Sequence, residues 1–343
     1  MTLVDIVLSG KTLIVTFDYS GRTLASLVRH LLPGHSWSEI RRLIETRRIR
    51  VNSELCLDSA LRLREGQVIE ILDRPAPKSR QPESIKIVHL DTHIVVVEKP
   101  SGISTVRHPL ERDWPAKRKL LSPTLDEIVP KLIAQRELWG QVSNLPGKLK
   151  TCRHRKGPPP RLRVVHRIDK ETSGLVVFAR TVPAEQGLGE QFRAHSVLRR
   201  YLAIIPGTIQ SQRIATRLVR DRGDGRRGST KLPGVGKQAV TNIELVEKLA
   251  GYSLVSCRLE TGRTHQIRIH LAELGHPVCG EKVYNRKPSG PVIEDQSGAP
   301  RLALHAAELG FLHPVTGQSL HWSMPLPADL QEFVTRLRAK TSS

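Results

Sequence analysis

Apolar positions in residues 22–32 recur at helical spacing, with Leu24, Leu27, Val28 and Leu31 on one face. Pro33-Gly34 breaks that pattern. Ser36, followed three positions later by Glu39, has the spacing of a capping box and opens a second helix. Ile40, Leu43 and Ile44 line its inner face, and the other face carries Arg41, Arg42, Arg47 and Arg48. Ile49-Arg50-Val51 alternates like a strand, Asn52-Ser53 reads as a turn, and residues 68–72 read as a closing strand after Glu65-Gly66. Residues 74–84 hold Pro75, Pro77 and Pro82 among polar neighbours and read as a linker. Short apolar runs at 85–90 and 94–97 then begin a second domain, expected over residues 85–335.

Within that second domain, Val164-Val165 runs into a polar turn, and a further apolar run, 175–178, leaves it. Asp169 is thereby expected on a tight turn between two buried strands, a setting that suits a catalytic group held by a rigid scaffold. Asp, Thr, Ser and Gly also form ordinary turns, so the local chemistry leaves both roles open. Residues 107–162 look irregular, with a helix over 125–138 and a basic loop marked by Arg153, His154, Arg155, Lys156 and Pro158-Pro159-Pro160. A second basic loop is expected at 213–238, from Arg217, Arg220, Arg222, Arg226 and Arg227 among glycines. No internal repeat at a solenoid period is visible.

Charge changes the picture more than composition does. Lys and Arg number 54 against 33 Asp and Glu, a formal net charge of +21 with a pI near 10.4. That excess points to a polyanionic partner, RNA or DNA before membrane. A hydrophobic share of 38% supports ordinary soluble cores, and no apolar run reaches the roughly 18 residues of a spanning helix. The N-terminal stretch around Asp5 and Lys11 does not read as a secretory signal. Cys56, Cys152, Cys257 and Cys279 stand far apart with no CxxC pair, so zinc is not expected and a reducing cytoplasm is. No GxxxxGK[ST], no HExxH and no GxGxxG following a strand is present. Neither a metal nor a diffusible cofactor is expected.

Several strings carry a resemblance. His166-Arg167-Ile168-Asp169-Lys170-Glu171-Thr172-Ser173-Gly174 resembles the HRLDxxTSG signature of pseudouridine synthases of the RluA/RluD type, with Ile168 in place of Leu. Glu98-Lys99-Pro100-Ser101-Gly102 resembles the NKPxG turn that opens their catalytic domain. The segment from Arg199 to Gly207 resembles KxYxAxxxG, with Arg199 where Lys is usual. Gly262-Arg263-Thr264-His265-Gln266-Ile267-Arg268-Ile269-His270 resembles GRTHQIRxH. The continuation to Tyr284 has Glu281 where Asp is usual and Asn285 where Gly is usual, departures expected to lie outside the catalytic group. Leu304-His305-Ala306 and His313-Pro314 match the closing strands. Residues 11–73 resemble the S4 RNA-binding domain, through the arginine-bearing second helix, Arg50-Val51-Asn52 and Leu63-x-x-Gly66.

The resemblance implies an α+β fold with a mixed, mostly antiparallel catalytic sheet and a small S4-like domain before it. It implies isomerisation of uridine to pseudouridine in structured RNA, large-subunit ribosomal RNA first and tRNA as the alternative. Asp169 would be the essential carboxylate, Arg268 its cationic partner, and Tyr201 the ring against a flipped base. Arg167, Ile267, His166, Thr172 and Lys99 are the expected substrate-binding residues. Arg41, Arg42, Arg47, Arg48, Arg50 and Asn52 are the expected RNA contacts of the S4-like part. The sequence leaves attack on C1′ and proton abstraction from C2′ both open. Two rivals stand beside this reading. One is a non-catalytic RNA-binding or ribosome-assembly protein on the same fold. The other is a hydrolase using Ser173, His166 and Asp169, although three triad members seldom share one turn.

Overall fold

The structure is a computed structural model that describes residues 12–52, 54–76, 85–115, 119–120, 122–142, 161–286 and 294–339. The expected basic loop at 153–160 and residues 77–84 of the expected linker lie outside the described residues. The chain divides into two compact units. One takes in Met1–Gln81 with Pro109–Pro123, the other Pro82–His108 with Thr124–Ser343.

In the first unit, strand β1 (Thr12–Ile14) precedes helices α1 (Leu24–Leu31) and α2 (Trp37–Glu45) and strands β2 (Ile49–Val51), β3 (Glu54–Leu55) and β4 (Val68–Ile71). The strands form an antiparallel sheet in the order β1-β4-β2-β3. Both helices start as their sequence directs. Thr23 accepts from the Ser26 amide, and the Ser36–Glu39 box closes in both directions, Ser36 N–H donating to Glu39 Oε2 at 2.7 Å and Glu39 N–H to Ser36 Oγ at 3.3 Å. Leu24, Leu27, Val28, Ile40, Ile44, Ile49, Leu63 and Ile69 are buried together, while Leu43 is only partly covered.

The second unit is built on an eleven-stranded sheet. Its strands are β5 (Lys86–Leu90), β6 (Ile94–Lys99), β7 (Arg163–Val164), β8 (Ser173–Ala179), β9 (Leu198–Pro206), β10 (Gln212–Val219), β11 (Gly228–Thr230), β12 (Lys237–Leu249), β13 (Tyr252–Leu259), β14 (Leu304–Leu312) and β15 (Ser319–Ser323). The main path runs β11-β10-β12-β13-β9-β14-β8-β6-β5, with β15 on β14 and β7 on β8. Among the described strands, only the β14–β8 pair is parallel. The expected mixed, mostly antiparallel α+β architecture is therefore what forms.

Alternation along the central strands divides their side chains between two cores. Val95, Val97, Val176 and Phe178 join one with residues of helices α3 (Leu125–Val142), α5 (Gln266–Glu273) and α6 (Ala328–Ala339). Ile94, Val96, Leu175 and Val177 join the other with Ala184 and Leu188 of helix α4 (Val182–Arg193). Strand β8 is buried at every position because both of its faces are covered. No helix among the described residues is long and apolar enough to cross a membrane.

Two expectations need correction. The strand entering the Asp169 turn is not buried, since β7 is two residues long with Val164 exposed. The segment 213–238 is not a loop throughout. Residues Gln212–Val219 pair with β12 across seven positions, and Gly228–Thr230 pairs back onto β10. Ile214, Thr216 and Leu218 alternate inward there with period two, a signal that the arginine count obscures.

Candidate active site

Asp169 lies on the turn between β7 and β8, closed by Thr172 N–H donating to Asp169 O. That turn is clamped from below by the segment after β6. Lys99 Nζ donates to the carbonyls of Pro100, Ile103 and Lys170 at 3.0, 2.8 and 3.0 Å. Gly102 N–H also reaches Lys170 O, Thr105 Oγ1 donates to Ile168 O, and Ser101 Oγ donates to Glu171 O. Burial pushes the Lys99 ammonium down to about 7, against the pull of Glu171 and Asp169. Lys99, expected among the substrate-binding residues, is fully buried and does not line the cavity beside Asp169. It ties the Lys170 carbonyl, next to Asp169, to those of Pro100 and Ile103.

On the far side of the turn Gly174 sits at φ +121°, and a Cβ there would overlap the backbone of Ala306 on β14. The glycine of the signature is therefore required by the close approach of the one parallel neighbour.

Asp169 faces a cavity of about 700 Å³, also lined by His166, Arg167, Thr172, Phe192, Arg199, Tyr201, His265, Ile267, Arg268 and Leu304. The carboxyl is 16% exposed; Arg268 Nη1 lies 3.6 Å from its Oδ2 and His265 Nε2 lies 3.8 Å from its Oδ1. Turn, strand β9 and helix α5 thus bring Asp169, Tyr201 and Arg268 to one place from separate segments.

Arg268 is shared. Its Nε and Nη2 grip Glu281 as a fork at 2.7 and 2.6 Å, and only Nη1 is turned toward Asp169. Burial opposes the charge on Arg268, but Glu281 and then Asp169 more than offset it and raise its pKa. Glu281 is itself buried, which raises its pKa, yet Arg268 and the amides of Val283 and Tyr284 hold it below the usual carboxylate range. Glu281 was expected to lie outside the catalytic group; it is the principal counter-ion of Arg268. The substitution of Glu for the usual Asp keeps an acid at this point, which was the available signal.

His265 stands in the left-handed region at φ 58°, at the start of α5. Its Nδ1 meets the Tyr284 hydroxyl at 2.7 Å, so its other nitrogen is turned toward Asp169. Burial holds its pKa below the ordinary value, with Asp169 pulling the other way. Tyr201 is buried, and its phenol is pushed up to about 12, chiefly by burial. It offers a ring and a neutral hydroxyl.

The remaining expected residues separate by what already occupies them. Ile267 is an apolar wall and Arg167 is exposed on the lining. Thr172 Oγ1 is buried with no hydrogen-bond partner and lines the cavity. His166 also lines it, but its Nε2 accepts from Val177 N–H at 3.0 Å and its ring stacks on Phe192. Burial, with help from Arg199, pushes His166 down to about 3. Ser173 Oγ pairs with His305 Nδ1 at 2.9 Å, which leaves no Ser173–His166–Asp169 triad.

In the first unit Arg41 and Arg42 are exposed. Arg47, at φ 68°, donates to Ala76 O, Arg48 to Asp73 O, and Arg50 pairs with Glu70 at 3.2 Å. Asn52 stands at φ 52° with its Oδ1 accepting from Val68 N–H. These four have structural partners within the unit.

A family model described as RNA pseudouridylate synthase matches residues 93–273. A ribosomal large subunit pseudouridine synthase D of Zymomonas mobilis subsp. mobilis is 35% identical over 317 residues, covering 90% of each chain. A ribosomal large subunit pseudouridine synthase D of Neisseria meningitidis serogroup A is 31% identical over 335 residues, 95% of this chain and 81% of that one. The solved structure of human RNA pseudouridylate synthase domain containing 4 aligns with a TM-score of 0.55 at 22% identity, over 74% of this chain and 92% of that one. It shares the fold.

Proposed function

The chain belongs to the RNA pseudouridylate synthase family, and on that premise we propose that it converts specific uridines of large-subunit ribosomal RNA to pseudouridine, with Asp169 as the essential carboxylate. One observation carries the reading. Asp169, Arg268 and Tyr201 converge from a turn, a helix and a strand on one cavity of about 700 Å³. That volume lies within the range of pockets that enclose a small ligand, and one nucleotide drawn out of its helix would fit such a space.

The reaction breaks the bond from C1′ to N1, turns the uracil, and joins C1′ to C5. N1 gains a proton and C5 loses one, so the overall change is an isomerisation. Asp169 acts at the ribose as nucleophile or base. Arg268 holds it in place while its own charge is stabilised by Glu281. Tyr201 supports the base, Ile267 bounds it, and Arg167 enters the space the nucleotide leaves. The lining carries Arg167, Arg193, Arg199, Arg263 and Arg268 against Asp169 and Glu185, a balance suited to a polyanion. In the first unit, the S4-like reading makes the exposed arginines of α2 the contacts to RNA outside the modified site.

The test is a map of pseudouridine in total RNA from cells with the gene, without it, and with Asp169→Asn. Sites in large-subunit ribosomal RNA should vanish in both altered strains. Loss confined to tRNA would move the substrate, and retention of every site in Asp169→Asn would remove Asp169 from the chemistry.

A further inference from the structure

Arg199 is a buried cation of the cavity with no acidic partner among the described residues. It is 7% exposed, and its Nε is buried without a hydrogen-bond partner. Nη2 has one acceptor, the backbone carbonyl of Glu260, at 3.3 Å. The Glu260 carboxylate is directed elsewhere, to Arg213 and Asn242. The other buried arginine of the lining, Arg268, has its own carboxylate, and Arg200 on the opposite face of the same strand pairs with Glu308. Among the described residues, no Asp or Glu forms an ion pair with Arg199. A buried charge without an acid is costly unless an anion arrives from outside.

Its placement says where that anion would sit. Arg199 and Tyr201 are alternate residues of β9, both buried on the same face and both lining the cavity. Two strand steps separate them by about 7 Å, comparable to the span from a base to its own phosphate. The guanidinium lies over the Phe192 ring, 5.7 Å from its centroid, which fixes its plane. Gly262 leaves room for it, since a Cβ there would lie 2.5 Å from Nη1.

We infer that Arg199 binds a backbone phosphate of the nucleotide whose base rests on Tyr201. The inference rests on the proposed function for the identity of that nucleotide. An arginine fork reads a phosphate better than a lysine point charge does, which gives a physical use to Arg at this position.

Two measurements test it. The first uses a stem-loop RNA spanning a uridine located by the mapping, with one neutral methylphosphonate placed 5′ or 3′ of that uridine. For the wild-type chain, one of the two linkages should lower single-turnover kcat/KM roughly tenfold or more. In Arg199→Met the native RNA should show a similar loss, and the same neutral linkage should then add less than about threefold. Independent, multiplying losses would overturn the inference, as would a wild type indifferent to both linkages. Arg199→Lys should recover part of the rate, as a packing role alone would not require.

The second measurement needs no turnover. Uridine 3′,5′-bisphosphate is titrated into the full chain while the arginine Nε–H resonances are followed, that of Arg199 being identified by its loss in Arg199→Lys. The bisphosphate should shift it and uridine should not. A bisphosphate that shifts its neighbours but leaves Arg199 unmoved would refute the assignment even in a chain that modifies no RNA. Absence of pseudouridine alongside a shifted Arg199 would count against the function and leave the phosphate site standing.

Discussion

At the residue scale, the candidate site is built on a chain of charges: Asp169, Arg268 and Glu281, with His265 and Tyr284 alongside. Asp169→Asn keeps the size and removes the charge, so single-turnover formation of pseudouridine should disappear while RNA affinity, read by filter binding, stays within about twofold. Glu281→Gln leaves Arg268 buried without its main counter-ion, and denaturant unfolding should show a loss of about 3 kcal/mol. Tyr201→Phe should be milder than Tyr201→Ala, because Phe keeps the ring face. Lys99 supplies a pH test. Burial lowers its folded-state value from 10.5 to about 7, so between those limits the unfolded chain binds more protons than the native one. The free energy of unfolding attributable to Lys99 therefore rises with pH from about 7 toward 10.5 and is lost as pH falls back to 7. Denaturation followed across pH 7 to 10 should show a steeper rise for the wild type than for Lys99→Met.

At the element scale, the turn that carries Asp169 is held between two supports. The end of β6 and the segment after it hold its backbone through Lys99, Ser101, Gly102 and Thr105, and β14 presses against Gly174 from the other side. Gly174→Ala would place a methyl group inside the backbone of Ala306 at a φ that other residues avoid. Its cost should stand at the upper end for a single change, about 4 kcal/mol. Circular dichroism melting should show that loss, and any folded fraction should lack activity because the turn has moved. In the first unit the closed Ser36–Glu39 box makes a milder test, as Ser36→Ala should lower stability by about 1 kcal/mol.

At the scale of the whole molecule, a net charge of +21 makes RNA binding a salt-dependent process. Arg41 and Arg42 are exposed on α2 and form no part of the cavity lining. The Arg41→Ala/Arg42→Ala chain should bind RNA with a log–log salt slope shallower by about 2, while the rate at saturating enzyme is unchanged. An unaltered slope would take those two residues out of the RNA contact.

Much of this protein was legible from its residues one after another. Helical spacing, the capping box and strand alternation depend on neighbours within a few positions, and these elements formed where the pattern placed them. The Asp169 turn was visible for the same reason, through an apolar run that polar turn-formers interrupt. Misreadings arose where composition was taken for conformation, as in the arginine-rich segment that pairs as β10, or where a side chain's direction had to be known. Lys99 was expected at the substrate until the fold closed three carbonyls around it. Glu281 was expected outside the catalytic group until α5 set Arg268 against it. What the sequence determined by itself was the local backbone and the family; which charges meet was decided only by tertiary structure. Ion pairing and burial depend on distances between residues far apart in the chain, and those distances exist only once the strands have taken their order in the sheet.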